Sequence, residues 1–356
     1  MFSPTPPPLP SWPVPALVGR DHEEAALRVA QAAAIAGRGS LVLIGGEAGI
    51  GKTALAEALC HEAGKQGAVI LVGRCHDLAE TPPYGPWATL LLAAPSGPDL
   101  PEPPELGGTA NPNSRAALFA QVRDYLAALV THRPVVLLLE DLHWADPASL
   151  DLLRSLASSL DTLPLLLLAT YRPEDLTRDH PLAALLPALV RESRPVRLDL
   201  RPLSDEAVGT LVDARYSLPT SDAMRLVDWL QARAEGNPFY ALELLQGIEE
   251  EGLLQCVGDR WILGDLARAS LPPLLRQVID RRIARLGMEA RRALAVAAVI
   301  GQEVPVSRWA EVSHAEEDTL LAVVEAAEAA HLLAVTGDGS TVRFAHALIR
   351  EALYAG

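Results

Sequence analysis

Leu41 to Thr53, LVLIGGEAGIGKT, constrains this chain more than any other stretch. Within it, Gly46-Glu47-Ala48-Gly49-Ile50-Gly51-Lys52-Thr53 fits the pattern GxxxxGK[ST] of a phosphate-binding P-loop. The flanks strengthen the match. Leu41 to Ile44 is a short apolar run of the kind a buried parallel strand requires. Thr53 to Glu62 has helical spacing and good helix formers. The loop is therefore expected to join a strand end to a helix start. Glycines let the backbone curl until successive N–H groups face one anion, and the helix start adds its positive dipole end. In such a loop Lys52 reaches the β/γ-phosphates and the Thr53 hydroxyl holds Mg²⁺. The competing reading is a glycine-rich turn with an incidental lysine. Lysine is scarce here, occurring only as Lys52 and Lys65.

With 356 residues and 49% apolar content, the chain is long enough for two or three domains with sizeable cores. Its formal net charge of −15 lacks the electrostatic footprint of a nucleic-acid binder. Cys60, Cys75 and Cys256 are widely spaced, which reads as isolated reduced thiols and a cytoplasmic location. No apolar run approaches the ~20 residues of a membrane-spanning helix. The first fifteen residues, MFSPTPPPLPSWPVP, are proline-rich and lack a positive leader region, so an extended, flexible tail is expected over 1–15.

Five strands are expected, at 41–45, 68–73, 135–139, 164–170 and 196–200. Near-continuous apolar runs of this kind suit a parallel sheet covered on both faces. Helical patterns fall at about 21–36, 53–65, 114–131, 147–160 and 181–191. Residues 95–113 are rich in Pro, Gly and Asn and read as a surface insertion. After Pro202 the strand signal fades. Residues 204–250 read as helices broken at Gly236-Asn237-Pro238, with a small hairpin at 253–263. Helices at about 274–287, 289–300 and 315–330 then precede a hairpin turning at Gly337-Asp338-Gly339, which together suggest a winged-helix unit. The expected fold class is α/β: a five-stranded parallel P-loop sheet of the additional-strand kind with helices on both faces. The expected domains are the 1–15 tail, a P-loop core at 16–203, a helical lid at 204–268 and a winged-helix-like domain at 269–356.

A second nucleotide motif lies at 135–141, VVLLLED, an apolar strand ending in acids as in Walker B. Glu140 stands at the Mg²⁺-ordering position and Asp141 at the water-polarising position, which suits metal binding plus general base. Arg172, just past the fourth strand, is placed to reach a γ-phosphate as a sensor. Catalytic candidates are thus Asp141, Glu140 and Arg172, with Thr53 and Glu140 as Mg²⁺ ligands.

The motifs Leu17-Val18-Gly19-Arg20, the P-loop, Glu140-Asp141-Leu142-His143-Trp144-Ala145-Asp146, Ala169-Thr170-Tyr171-Arg172, Gly236-Asn237-Pro238-Phe239 and Phe344-Ala345-His346 to Tyr354 occur in one order. In this the chain resembles the STAND signal-transduction ATPases, and most closely the ATPase region of large ATP-binding LuxR-type bacterial transcriptional regulators. Related modules accompany some adenylate cyclases and protein kinases. The resemblance runs from about residue 16 to the end. It implies that Val18, Gly19 and Arg20 line an adenine pocket and that Pro238 packs on the base or ribose. It also implies that Gly46 through Thr53 and Ala54 hold the phosphates, and that His346 senses nucleotide. Glu140 departs from the usual Asp by one methylene. Full regulators of this type continue into helical repeats and a DNA-binding helix-turn-helix, so output modules are expected elsewhere or beyond Gly356.

An origin-recognition-like DNA-binding ATPase is the main alternative. The candidate recognition helix argues against it, because it carries Glu316, Glu317, Asp318, Glu325 and Glu328, and no Lys or Arg lies between Arg308 and Arg343. Such a face repels a phosphate backbone. The expectation is therefore a weak regulatory ATPase, off with ADP and on with ATP. It self-associates in the ATP state, answers an unknown inducer or protein partner, and makes no direct contact with DNA or membrane.

Overall fold

The computed structural model describes residues 17–77, 82–95, 100, 102–106, 112–258, 260–337 and 339–354, with the backbone alone for 112–114 and 317. The expected 1–15 tail lies outside the described residues, as do 96–99, 101 and 107–111 of the expected insertion and the two turn aspartates at 259 and 338. The chain divides into two compact units, Met1–Arg201 and Pro202–Gly356.

The first unit is an α/β sandwich. Its elements are α1 (Asp21–Ile35), β1 (Ser40–Gly45), α2 (Lys52–Lys65), β2 (Val69–Arg74), α3 (Gly85–Leu92), α4 (Pro112–His132), β3 (Val135–Glu140), α5 (Pro147–Ala157), β4 (Leu166–Tyr171), α6 (Pro181–Ser193) and β5 (Val196–Asp199). All five strands are parallel, in the order β2-β3-β4-β1-β5. All five expected strands are present, and for β1, β3 and β4 the reason is visible in the two cores. Leu41, Leu43, Leu137, Leu139 and Leu167 point to one face, packed with Trp87, Leu90, Val122, Leu126 and Leu153. Val42, Ile44, Val136, Leu138 and Leu168 point to the other, packed with Leu27, Ala30, Leu55 and Leu59. Burial on both faces removes alternation from the sequence.

Two differences from the expected pattern stand out in this unit. The short helix α3 was not expected. It is entered through Tyr84 at φ 61, and its register is set by the buried Trp87, whose ring N–H donates to the Ser149 carbonyl at 3.1 Å. Pro112 and Asn113, assigned to the insertion, open α4 instead.

The second unit holds α7 (Asp205–Arg215), α8 (Thr220–Ala234), α9 (Pro238–Glu250), the hairpin β6 (Leu254–Val257) and β7 (Arg260–Leu263), α10 (Pro273–Ala284), α11 (Gly287–Ile300), β8 (Glu303–Pro305), α12 (Val306–Ser313), α13 (Glu317–Ala329), β9 (Leu333–Val335), β10 (Thr341–Phe344) and α14 (Ala347–Tyr354). Strands β8, β10 and β9 form an antiparallel sheet in that order. Strand β8 and helix α12 were not expected. They are short, and α12 is anchored by a fully buried Trp309 whose ring N–H donates to the Ala293 carbonyl at 3.0 Å. Among the described residues no helix is long and apolar enough to cross a membrane.

Candidate functional site

The strand order places the carboxyl ends of β1, β3 and β4 side by side, and the candidate residues sit there. Open α/β sheets bind ligands at such ends. The loop after β1 needs its glycines. Gly49 and Gly51 lie at φ 81 and 102, and a Cβ on Gly46 would stand 2.9 Å from Ile50 Cγ2 and 3.1 Å from the Leu200 carbonyl oxygen. Left-handed backbone of this kind costs any other residue strain. Gly51 is the N-cap of α2, so the first amides of that helix open toward the loop.

Lys52 is buried at 6% exposure, and its ammonium donates to the carbonyls of Gly46 at 2.6 Å and Glu47 at 2.7 Å. Burial lowers its pKa from 10.5 to about 8, partly offset by the nearby Glu174 carboxylate. Thr53, the next residue, is exposed, and Ala54 is half-buried. The amide of Ala48 donates to Glu174 Oε1 at 3.0 Å. A carboxylate oxygen is thus already seated on the loop, standing in for the oxyanion such a cradle is built to accept. The donor set therefore fits a phosphate chain.

Arg20, expected beside an adenine, also has a role within the fold. Its guanidinium is buried and donates to the carbonyls of Ile50 at 3.0 Å and Arg201 at 2.8 Å, and it pairs with Glu23 at 3.4 Å. Arg20 thereby pins the P-loop to the end of the unit. Val18 and Gly19 precede it, half-buried and exposed respectively.

Glu140 ends β3 at 3% exposure, and Arg74 Nε at the end of β2 donates to its Oε2 at 2.5 Å. Asp141 follows in left-handed backbone, φ 57 and ψ 49, with its amide donating to Thr170 Oγ1 at 2.9 Å. Strain of this sort concentrates at functional sites. Burial raises the Asp141 carboxyl above the usual range despite the lowering influence of Arg172. Among the described residues no cluster of three His, Cys, Asp or Glu could hold a metal by itself. Mg²⁺ does not require one, because it takes one or two protein oxygens together with substrate phosphates and water. Thr53 and Glu140 are the residues that would supply them.

Beyond β4, Pro173–Asp175 form a single 3₁₀ turn. Arg172, just before it, lies over the Trp144 ring at 5.1 Å and 3.6 Å from Asp175. The His143 side chain is fully buried, with Nε2 3.5 Å from Asp175 and 4.0 Å from Asp141, and its ring 4.5 Å from that of Trp144. Burial drops its pKa to about 3, so the ring is uncharged at neutral pH. His180 donates from Nε2 to the His143 carbonyl at 2.9 Å while its Nδ1 caps α6 by accepting from Leu182 N. Asp146 caps α5 and also accepts from the Tyr84 amide at 3.2 Å.

In the second unit, Asn237 Oδ1 accepts from the amides of Phe239 and Tyr240, so Pro238 occupies the first turn of α9. His346 stands 3.6 Å from the Glu235 carboxylate and edge-on to Tyr240 at 5.2 Å. Glu235 also accepts from Ala347 N at 2.9 Å at the start of α14.

The sequence motifs thus gather Lys52, Thr53, Glu140, Asp141 and Arg172 at one end of the sheet. They do not reveal Arg74, Glu174 or Asp175. The only sequence signal for these is their position at the carboxyl ends of β2 and β4.

Residues 16–168 match the family model of an AAA ATPase domain. An uncharacterized protein of Rhizobium meliloti (strain 1021) is 25% identical over 377 residues, covering 95% of this chain and 35% of the relative. The chain therefore spans about a third of that relative's length. Among solved structures, a Pyrococcus horikoshii signal-transduction ATPase with numerous domains and a tetratricopeptide repeat sensor covers 96% of this chain at 16% identity and TM-score 0.43, with 42% of its own length matched. A Thermotoga maritima RuvB variant matches over 92% of each chain at 18% identity and TM-score 0.42. Drosophila ORC bound to DNA covers 96% of this chain and 88% of its own at 17% identity and TM-score 0.45.

Proposed function

We propose that the chain binds ATP with Mg²⁺ and hydrolyses it slowly, as a regulatory switch rather than a metabolic enzyme. The observation that carries this is the convergence of a glycine-built anion loop, a buried lysine and paired acids at adjacent strand ends within a segment matching an AAA ATPase domain, with Arg172 at the next strand end just beyond it. Bound Mg-ATP supplies the metal's charge neutralisation and a terminal phosphoryl group open to attack by water. On this reading Lys52 turns from the loop carbonyls toward the phosphates, and Thr53 and Glu140 hold the metal side. Asp141, its carboxyl raised by burial, takes a proton from water, and Arg172 stabilises charge on the transferred group.

Two or three charge-assisted bonds at about 1.5–3 kcal/mol each match the roughly 5.5 kcal/mol needed to move a population from 1:99 to 99:1. A bacterial transcriptional regulator off with ADP and on with ATP, self-associating and inducer-responsive, is the role best suited to such a device. Residues 204–268 would then form its lid, with Pro238 against the nucleotide, and 269–356 a winged-helix-like clamp. Direct DNA binding is disfavoured by the exposed Glu316, Asp318, Glu325 and Glu328 around α13. A module attached to a cyclase or kinase would use the same chemistry.

The test pairs two variants. Lys52→Ala should weaken ATP binding by about 10–150-fold, the loss of about 1.5–3 kcal/mol. Asp141→Asn should bind Mg-ATP normally and hydrolyse almost none. Fluorescent-ATP titration and phosphate release measure both. Equal ATP affinity in Lys52→Ala and wild type would sink the P-loop assignment, and normal hydrolysis by Asp141→Asn with none by Glu140→Gln would reverse the two acids' roles.

A further inference from the structure

The P-loop already carries an anion of its own. Strand β4 lies beside β1 in the sheet, so the turn after β4 runs next to the loop after β1. From that turn Glu174 extends its carboxylate to the amide of Ala48, inside the GxxxxGK[ST] motif, at 3.0 Å. The partner residues are 126 positions apart in sequence, so the contact belongs to the tertiary fold and is not a local turn. A carboxylate oxygen resembles a phosphoryl oxygen in charge and in its demand for N–H donors. The lysine of the motif answers the same anion, since Glu174 is the strongest nearby charge acting to keep Lys52 protonated against its burial. Asp175 and Arg172 belong to the same stretch and reach His143 and Trp144.

We propose that Glu174 is an internal phosphate mimic, seated on the P-loop until the phosphate chain of a nucleotide displaces it. This rests on reading the loop as a nucleotide site. The competition has two consequences. Phosphate binding must first break the Ala48–Glu174 bond, which lowers the affinity the loop would otherwise have. The departing turn also carries Arg172 and Asp175 on neighbouring residues, so occupancy of the loop is transmitted to the side chains around Asp141. A plug of this kind acts on the phosphate chain and leaves the nucleoside alone.

The experiment titrates the full chain with inorganic pyrophosphate, ATP and adenosine, using wild type, Glu174→Gln, Glu174→Ala, Glu174→Asp and Lys52→Ala. Removing the competing carboxylate should tighten pyrophosphate and ATP binding by about 10-fold in Glu174→Gln and Glu174→Ala. Glu174→Asp, which keeps the charge on a shorter arm, should fall between them and wild type. Adenosine binding should not change. The unliganded thermal midpoint of Glu174→Gln should stay at or below that of wild type, because the mimic stabilises only the empty loop. Should Glu174→Ala misfold, Glu174→Gln decides the matter. Unchanged or weaker pyrophosphate binding in a folded Glu174→Gln overturns the proposal, and a concurrent loss in Lys52→Ala then leaves the nucleotide site standing. Failure of wild type and every variant to bind ATP or pyrophosphate removes both readings together.

Discussion

Arg74 at the end of β2 and Glu140 at the end of β3 are joined by a 2.5 Å hydrogen bond from Nε to Oε2. The bond runs between neighbouring strands in register, Arg74 opposite Glu140. Arg74 is half exposed, with 46% of its side chain open, and also reaches Glu57 at 3.2 Å, whereas the Glu140 side chain is 4% exposed. The arginine thus fixes which way the buried acid faces.

Removing that arginine leaves a buried carboxylate without its ion partner. Losing one partner of a fully buried pair costs about 3–5 kcal/mol, and an exposed pair contributes about 0–1. With Arg74 half in water, Arg74→Met should destabilise the first unit by roughly 1 kcal/mol in urea unfolding. Its larger effect should be functional. ATP binding without Mg²⁺ should be unchanged, while the gain from adding Mg²⁺ should shrink, because Glu140 is released from its orientation. An undiminished Mg²⁺ gain would show that Glu140 is held by the strand alone.

Most of the sheet was legible because its central strands β1, β3 and β4 are buried on both faces, which writes them as apolar runs such as VVLLL in β3. The P-loop was legible because its glycines, Lys52 and Thr53 are contiguous. Arg74 and Glu174 were not, because each acts through a partner brought near only by strand order: Glu140 and the Ala48 amide respectively. Arg20 was placed beside the base by the family resemblance, and the sequence does not show that its guanidinium also binds the Ile50 and Arg201 carbonyls. Helices α3 and α12 are too short for periodicity to register, and each hangs on one buried tryptophan.

Lys52 should make the proposed nucleotide binding pH-dependent. Burial holds its pKa near about 8, well below 10.5. Below pH 8 the ammonium is charged and attracts phosphate, and above it the charge is lost. Binding a polyanion favours the charged form, so complex formation near pH 8 should take up a fraction of a proton. Phosphate groups with a second pKa near about 6 are already ionised there and do not obscure it. ATP affinity should therefore fall between pH 7.5 and roughly pH 9.5 in wild type and stay flat in Lys52→Ala. For the unliganded protein the sign is opposite. The unfolded chain binds this proton more tightly, so the stability penalty of burying Lys52 is present below pH 8 and relieved as pH rises from 8 toward 10.5. Calorimetry in buffers of different ionisation enthalpy measures the uptake, and none at pH 8 would place the lysine's proton outside the binding event.

His346 offers the test of whether the second unit reports on nucleotide. It packs against Glu235 at 3.6 Å and Tyr240 at 5.2 Å, two residues flanking Gly236-Asn237-Pro238 in the proposed 204–268 lid. Burial pushes the Glu235 carboxyl up, but His346, the Ala347 amide and Arg343 outweigh it and leave it below the usual carboxylate range. The stability these partners contribute is present above about pH 4.5 and is lost as pH falls through the lowered value. His346→Ala should therefore cost the second unit about 1 kcal/mol at pH 7, the scale of one charge-assisted contact in a half-buried setting. If His346 also clamps bound ADP, its loss should speed ADP release more than it weakens ATP binding, because the closed state alone is affected. Glu235→Gln separates the two roles. It removes the carboxylate from His346 and Arg343 while keeping the imidazole, so it should cost at least as much stability without the faster release. Stopped-flow release of labelled ADP from the three proteins decides this. Identical ADP release in His346→Ala and wild type would reduce His346 to a structural partner of Glu235.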